Sequence, residues 1–498
     1  MNALERDASE VLSLVRTLKN SFTPINQIPP EVLSLIPGHC DDGEDLITLT
    51  HVCRGWRDVF TSCSPLWTRL DFINVDKTRT YIQRSQSSPL DICLKYTGHL
   101  DDAFSLAIPH LHRLKSLTIR MDALPDILTH FRCQAPLLEE LNIALYRDRN
   151  PILDNMLFGG VPPPLRMLTL EGDITITHLP WNNMANLQVL TLRSLSSGYD
   201  VTRLLDFFES APLLHTVVLR GSIPDSSDAP PQRIVPLPHL KTLTIHGSSL
   251  HFILLNHLCI PTGASLILRF GFRGEKSPLL DCLPEIPANL RNLSRITTIN
   301  LLFGLEDKFV RLSGPSGSLC VLAHWWQPET DSYTMDCRIL HSLDLPILST
   351  TQRLAISMYM HPTLAKAEES PVFQTLSSMN SLRALTLTKC DNLPFILALN
   401  PEENPSKLIL CPNLEELILY VELQDQLHIK RLISMAKNRA SGGAKLSSVM
   451  IVGLDELTPG RKVFKLGKYV TDVKCRVDDA SPTWDHIPGG SGGESERF

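Results

Sequence analysis

LRMLTL, residues 165–170, and LQVLTL, residues 187–192, share one six-residue frame: apolar-x-x-apolar-x-apolar. The last four positions alternate apolar with polar, as a strand buried on one face must. The frame recurs as LKSLTI (114–119), LEELNI (138–143), LHTVVL (214–219), LKTLTI (240–245), ITTINL (296–301), LRALTL (382–387), LEELIL (414–419) and LSSVMI (446–451). Ten such frames exceed what abundant leucine alone produces. Central positions 117, 141, 168, 190, 217 and 243 are 24, 27, 22, 27 and 26 residues apart, and 385, 417 and 449 are 32 and 32 apart.

Between the frames lie helical stripes at i, i+3, i+4, i+7: Leu124, Ile127, Leu128, Phe131; Val201, Leu204, Leu205, Phe208; Ile429, Leu432, Ile433, Ala436. A strand followed by a helix, repeated every roughly 20–30 residues, is the leucine-rich-repeat pattern, in which stacked units share a core that none can bury alone. The fold class expected is α/β: a short all-α module followed by an irregular leucine-rich-repeat solenoid, a horseshoe, over residues 76–479. Residues 303–348 break the rhythm. Gly314-Pro315-Ser316-Gly317 predicts a turn, with strands expected at SLCVLAHWW (318–326) and SYTMDCRIL (332–340) on either side of QPETD. Trp325 and Trp326 either pack in the core or form an aromatic patch for a partner.

Upstream, Ile28 to Leu70 opens IPPEVLSLIP, passes through the acidic CDDGED, and continues LITLTHVCRGWRDVFTSCSPLWTRL. Pro29 or Pro30 suits a first helical turn, Glu31 suits the positive end of the dipole, and Pro37-Gly38 stops the helix. A second helix is expected after Asp45, with Leu46, Leu49, Cys53, Trp56 and Phe60 as one continuous stripe. Two short helices cannot bury enough surface to stand alone, so the stretch reads as an interaction module. Before it, residues 3–19 predict a helix whose Leu4, Ala8, Val11, Val15 and Leu18 step by four, three, four and three, as a coiled-coil seam does. It either packs beside the module, stays loosely attached, or pairs with another chain. Residues 77–86 predict a polar helix carrying Tyr81 and Ile82.

IPPEVLSLI, Asp45, Leu46, Leu49 and then VCRGWRD resemble an F-box. The continuation SPLWTRLDF and KTRTYIQRSQSSPLDICLKY is similar to F-box proteins of mushroom-type fungi, and the frames resemble the irregular repeats associated with such boxes. Family members usually continue the first helix with an Ile-Phe pair, where this chain has Ile36 followed by Pro37. The resemblance implies domains at 1–24 (helix and linker), 25–75 (F-box) and 76–479 (repeats), before a Gly/Ser-rich tail, 480–498, expected to be disordered. It also implies that Ile28, Pro29, Glu31, Leu33, Ile36, Leu46, Leu49, Val52, Cys53 and Trp56 form or brace a surface for a Skp-type adaptor, and through it a cullin.

The 498 residues carry a formal charge of −6, which gives no basic field for nucleic acid or anionic membrane as the main partner. No apolar run approaches the roughly 20 residues of a membrane span, and the N-terminus carries charges before any apolar run. Twelve scattered cysteines, none at CxxC spacing, suggest buried thiols of a reducing compartment, cytoplasm or nucleus. No glycine pair follows a strand and opens a helix, so no nucleotide loop is found. His110 and His112 have the spacing of one strand face but no companion ligands, and DDGED lacks the calcium-loop register. No catalytic set, metal or cofactor is therefore expected.

What remains is surface. In a solenoid, residues between the buried strand positions face the concave side. That face collects Ser116, Thr118, Arg120, Glu140, Asn142, Thr191, Arg193, Val218, Arg220, Thr242, Thr244, His246, Ala384, Thr386, Thr388, Glu416, Ile418 and Tyr420. Arg120, Glu140, Arg193, Arg220, His246 and Tyr420 are the residues expected to hold a target protein. Equally, threonine suits strands and arginine suits solubility. By resemblance, the chain is a substrate-recognition subunit of a Skp–cullin–F-box ubiquitin ligase. The alternative is a repeat scaffold with a degenerate box, which the Ile36-Pro37 interruption favours.

Overall fold

Each of the ten frames forms a strand whose leading apolar residue is buried, from Leu114 to Leu446. The computed structural model describes residues 3–39, 43–72, 74–95, 105–121, 131–145, 157–172, 184–195, 201–221, 233–247, 254–272, 289–303, 307–325, 345–358, 371–388, 390, 392–404, 406–421, 428–453 and 463–477. Leu124, Ile127, Leu128, Trp326, the QPETD and SYTMDCRIL segments and the tail lie outside them. The chain divides into two units, Met1–His239 and Leu240–Phe498.

The first unit begins with five helices: α1 (Ala3–Ser21), α2 (Pro30–Leu33), α3 (Gly43–Thr50), α4 (Arg54–Ser62) and α5 (Val75–Ser85). Among the described residues, seven strands of this unit form one ladder: β1 (Arg69–Leu70), which precedes α5, then β2 (Leu90–Lys95), β3 (Leu114–Met121), β4 (Glu140–Leu145), β5 (Met167–Glu171), β6 (Val189–Leu195) and β7 (Thr216–Gly221). Each pairs in parallel with the next along the chain. The register aligns Ile92, Leu117, Leu141, Leu168, Leu190 and Val217 in one row, and Leu94, Ile119, Ile143, Leu170, Leu192 and Leu219 in the next. Both rows are buried. This is why the frame repeats: each leucine closes the core of its neighbours as well as its own unit. The crossover helix Val201–Ser210 buries Val201, Leu204, Leu205 and Phe208, the stripe read from spacing.

In the second unit, Thr242–His246 pairs in parallel with Ser265–Phe272, which pairs in parallel with Gly317–Trp325. A parallel ladder also joins Thr298–Phe303 to Arg353–Met358, Ala384–Thr388, Glu416–Val421, Ser448–Gly453 and Asp472–Val477 in turn. Between the two runs, Asp307–Gly314 is antiparallel to both Thr298–Phe303 and Gly317–Trp325. Two reversals restore the original direction, so the break at 303–348 is a meander set into a parallel ladder. The expected turn at Gly314–Gly317 is present. However, the strand pairing across it is Asp307–Gly314, which sequence reading did not foresee. Gly317 sits at φ +134°, where an added Cβ would lie 2.4 Å from the Ala264 carbonyl oxygen, so the turn needs glycine there.

Two local expectations need correcting. The stripe from Leu46 to Phe60 is not one helix. Cys53 is extended, at φ −156° and ψ 173°, and stands at the N-cap between α3 and α4. The 3/4 spacing continued through a break because Trp56 and Phe60 return to the same core from a second helix. His110 and His112 lie in a 3-10 helix, Ile108–Arg113, and not on a strand face.

Candidate functional site

Helix α2 is one turn long. Val32 and Leu33 N–H both donate to the Pro29 carbonyl, at 3.0 and 2.9 Å, and Pro30 occupies the first turn where its missing N–H costs nothing. Pro37, lacking a donor, stands where the helix would have to continue, and the chain tightens into a 3-10 turn at Ile36–His39. A single turn divides its apolar residues sharply. Leu33 is buried, while Val32 and Leu35 are 50% and 63% exposed.

The core beneath is built from aromatic residues. Trp56 and Phe60 pack edge to face at 5.5 Å, and the Trp56 indole N–H donates to Asn26 Oδ1 at 2.6 Å. Arg57 Nε caps the end of α3 by donating to the Thr50 carbonyl. Trp67 donates to the Phe60 carbonyl, packs edge to face on Tyr81 of α5 at 4.9 Å, and lies under the Arg84 guanidinium at 4.3 Å. Two residues after Trp67 the chain enters β1. Arg113, buried just before β3, donates to Ser85 Oγ and to the carbonyls of Ser88 and Ile82. The helical region is thereby fastened to the first strands of its own unit.

The ten residues singled out here separate by burial. Leu33, Leu46 and Trp56 are buried. Ile28, Ile36, Leu49 and Cys53 are half-buried, and Pro29, Glu31 and Val52 are exposed. The buried members hold the module together, and the exposed members face solvent. Phe22, Ile25, Val32 and Leu35, outside the ten, also expose apolar surface.

On the strands, Arg120 and Glu140 are exposed, and Arg193, Arg220, His246 and Tyr420 are half-buried. All six alternate with buried rows and so lie on the opposite face of their own unit's strands. In the first unit, Arg193 stands in register with Glu171 on one side and Arg220 on the other, while Arg120 stands beside Ala144. Glu140 accepts a long hydrogen bond, 3.4 Å, from Ser116 Oγ. Asp91, in register with Ser116, has its carboxyl pushed up from the ordinary range by burial, with Lys115 opposing the shift.

The second unit departs from a polar face. Ile267, Phe309 and Cys320 occupy it and are buried together, with Leu302 and Leu322 packed against them. Burial pushes the Cys320 thiol up to about 11, although Arg311 and Arg269 stand near enough to oppose it. Thr388, expected on the open face, is buried as well. Among the described residues, no group of three or more His, Cys, Asp or Glu could hold a metal. No helix among them is long and apolar enough to cross a membrane.

Residues 25–73 match the F-box-like family model. A comparison with curated proteins finds no match to the chain. F-box domains generally bind Skp-type adaptors, and a domain of this class suggests an adaptor role in a Skp–cullin–F-box ubiquitin ligase.

Proposed function

We propose that this protein is the substrate-recognition subunit of such a ligase. The F-box-like stretch docks the Skp-type adaptor, and the strands downstream form an irregular leucine-rich-repeat solenoid that holds a target protein. The observation that carries the reading is the match over 25–73, together with exposed Pro29, Val32, Leu35 and Val52 on a buried Leu33–Leu46–Trp56 frame. The chain itself performs no covalent step; its contribution is proximity between target and ligase. Arg120, Glu140, Arg193, Arg220, His246 and Tyr420 are the target-facing residues in this account, in the cytoplasm or nucleus.

The test is direct binding of the purified chain to a purified Skp-type adaptor. Micromolar or tighter association is expected. No association by a folded chain would overturn the reading and favour a repeat scaffold with a degenerate box. The one-turn α2 is the specific observation behind that second reading.

A further inference from the structure

Helix α1 runs from Ala3 to Ser21, and Val11, Leu12, Leu14, Val15 and Leu18 on it are 51–64% exposed. At 3.6 residues per turn these five span a contiguous arc of about 160°, on which Ala8 also falls. Phe22, 76% exposed, stands one further four-residue step beyond Leu18. The helix is held at its C-terminal end, where Asn26 Nδ2 and the Thr23 N–H both donate to the Asn20 carbonyl. Helices in proteins draw most of their stability from packing an apolar face, and among the described side chains of α1 no apolar one is buried, so the stripe is a face awaiting a partner.

Charge selects the occupant. The first half holds Glu5, Asp7 and Glu10 against Arg6, a net −2, and the second half holds Arg16 and Lys19, a net +2. That polarity suits the helix dipole. Joined to a seam stepping by four, three, four and three, it makes the helix complementary to its own reversed image. We propose that α1 pairs antiparallel with α1 of a second copy of this chain, opposing acidic and basic halves. A parallel pair would set like against like. The pairing stands independently of any role in ubiquitin transfer.

Sedimentation equilibrium of the full chain from about 1 to about 100 µM tests it. The expected mass rises from one chain towards two. Val15→Asp with Leu18→Asp is expected to remain at one. Arg16→Glu with Lys19→Glu, and separately Asp7→Lys with Glu10→Lys, are each expected to be monomeric alone and to associate when mixed. A wild-type chain that stays monomeric throughout overturns the proposal. So does association that survives the Arg16 and Lys19 reversal, since an antiparallel pair would then oppose acid to acid.

Discussion

The Trp56 indole N–H and the Asn26 Oδ1 meet at 2.6 Å across 30 residues of sequence, and the amide of the same Asn26 donates to the Asn20 carbonyl at 2.7 Å. One side chain thus ties the core of the helical module to the end of α1. Asn26→Ala should leave the Trp56 N–H without its partner and cost about 1–3 kcal/mol. Asn26→Asp keeps the acceptor for Trp56 and loses the donor to Asn20, so it should cost less. Urea denaturation followed by tryptophan fluorescence ranks the two; equal losses would contradict this division of roles.

Exposure separates binding from stability in the box. Leu35→Asp and Val32→Asp should change unfolding free energy by no more than about 0.5 kcal/mol, because neither side chain is buried. Both should weaken adaptor binding at least tenfold, about 1.4 kcal/mol. Trp56→Ala should instead cost about 3–5 kcal/mol and lose binding through the fold. Calorimetry of binding, paired with denaturation of each variant, tells the two behaviours apart.

In the strand ladder, Leu168 and Leu190 are adjacent in register and fully buried. Each to alanine should cost about 2–5 kcal/mol. Because they line one contact, the double variant should depart from additivity by about 0.5–3 kcal/mol. Chemical denaturation of the two singles and the double measures it.

The buried thiols set an alkaline limit. Burial pushes Cys411 from 9.0 up to about 12 and Cys320 up to about 11. In the unfolded chain these thiols ionise near their ordinary value, so the contribution is fully present below about pH 9 and is lost as pH rises towards 11 and 12. Stability measured from about pH 9 to about pH 11, the window set by these two shifts, should fall with pH. Serine at both positions should flatten the slope. Alkylation of the folded chain near pH 8 should modify exposed Cys133 well before either buried thiol.

The leucine rows were legible because they repeat locally, and each frame carries its own evidence of burial. Four further strands depart from the frame, three of them at the leading position alone and the fourth at all three apolar positions. Thr351, fully buried with its hydroxyl on the Ile347 carbonyl, stands where Arg353–Met358 would have a leading leucine. Val470, Val473 and Cys475 replace leucines around Asp472–Val477, while Pro89 and Gly263 stand at the leading positions before Leu90–Lys95 and Ser265–Phe272. The meander was beyond reach for a different reason. Antiparallel pairing with Asp307–Gly314 depends on which strands become neighbours, and alternation within one strand says nothing about that. At the candidate site, residue types pointed to the right stretch, but the break at Cys53 and the one-turn α2 decide which side chains face outward, and both are matters of backbone path.

Arg113 and Trp67 give the helical module a mechanical property. With the indole wedged against Tyr81, Leu70 in register with Ile92, and a buried guanidinium gripping Ser85 and Ser88, the module and the first strands behave as a bracket. Val32 of the box and Arg120 of β3 thus belong to one unit, and the path between their elements runs through packed and hydrogen-bonded side chains.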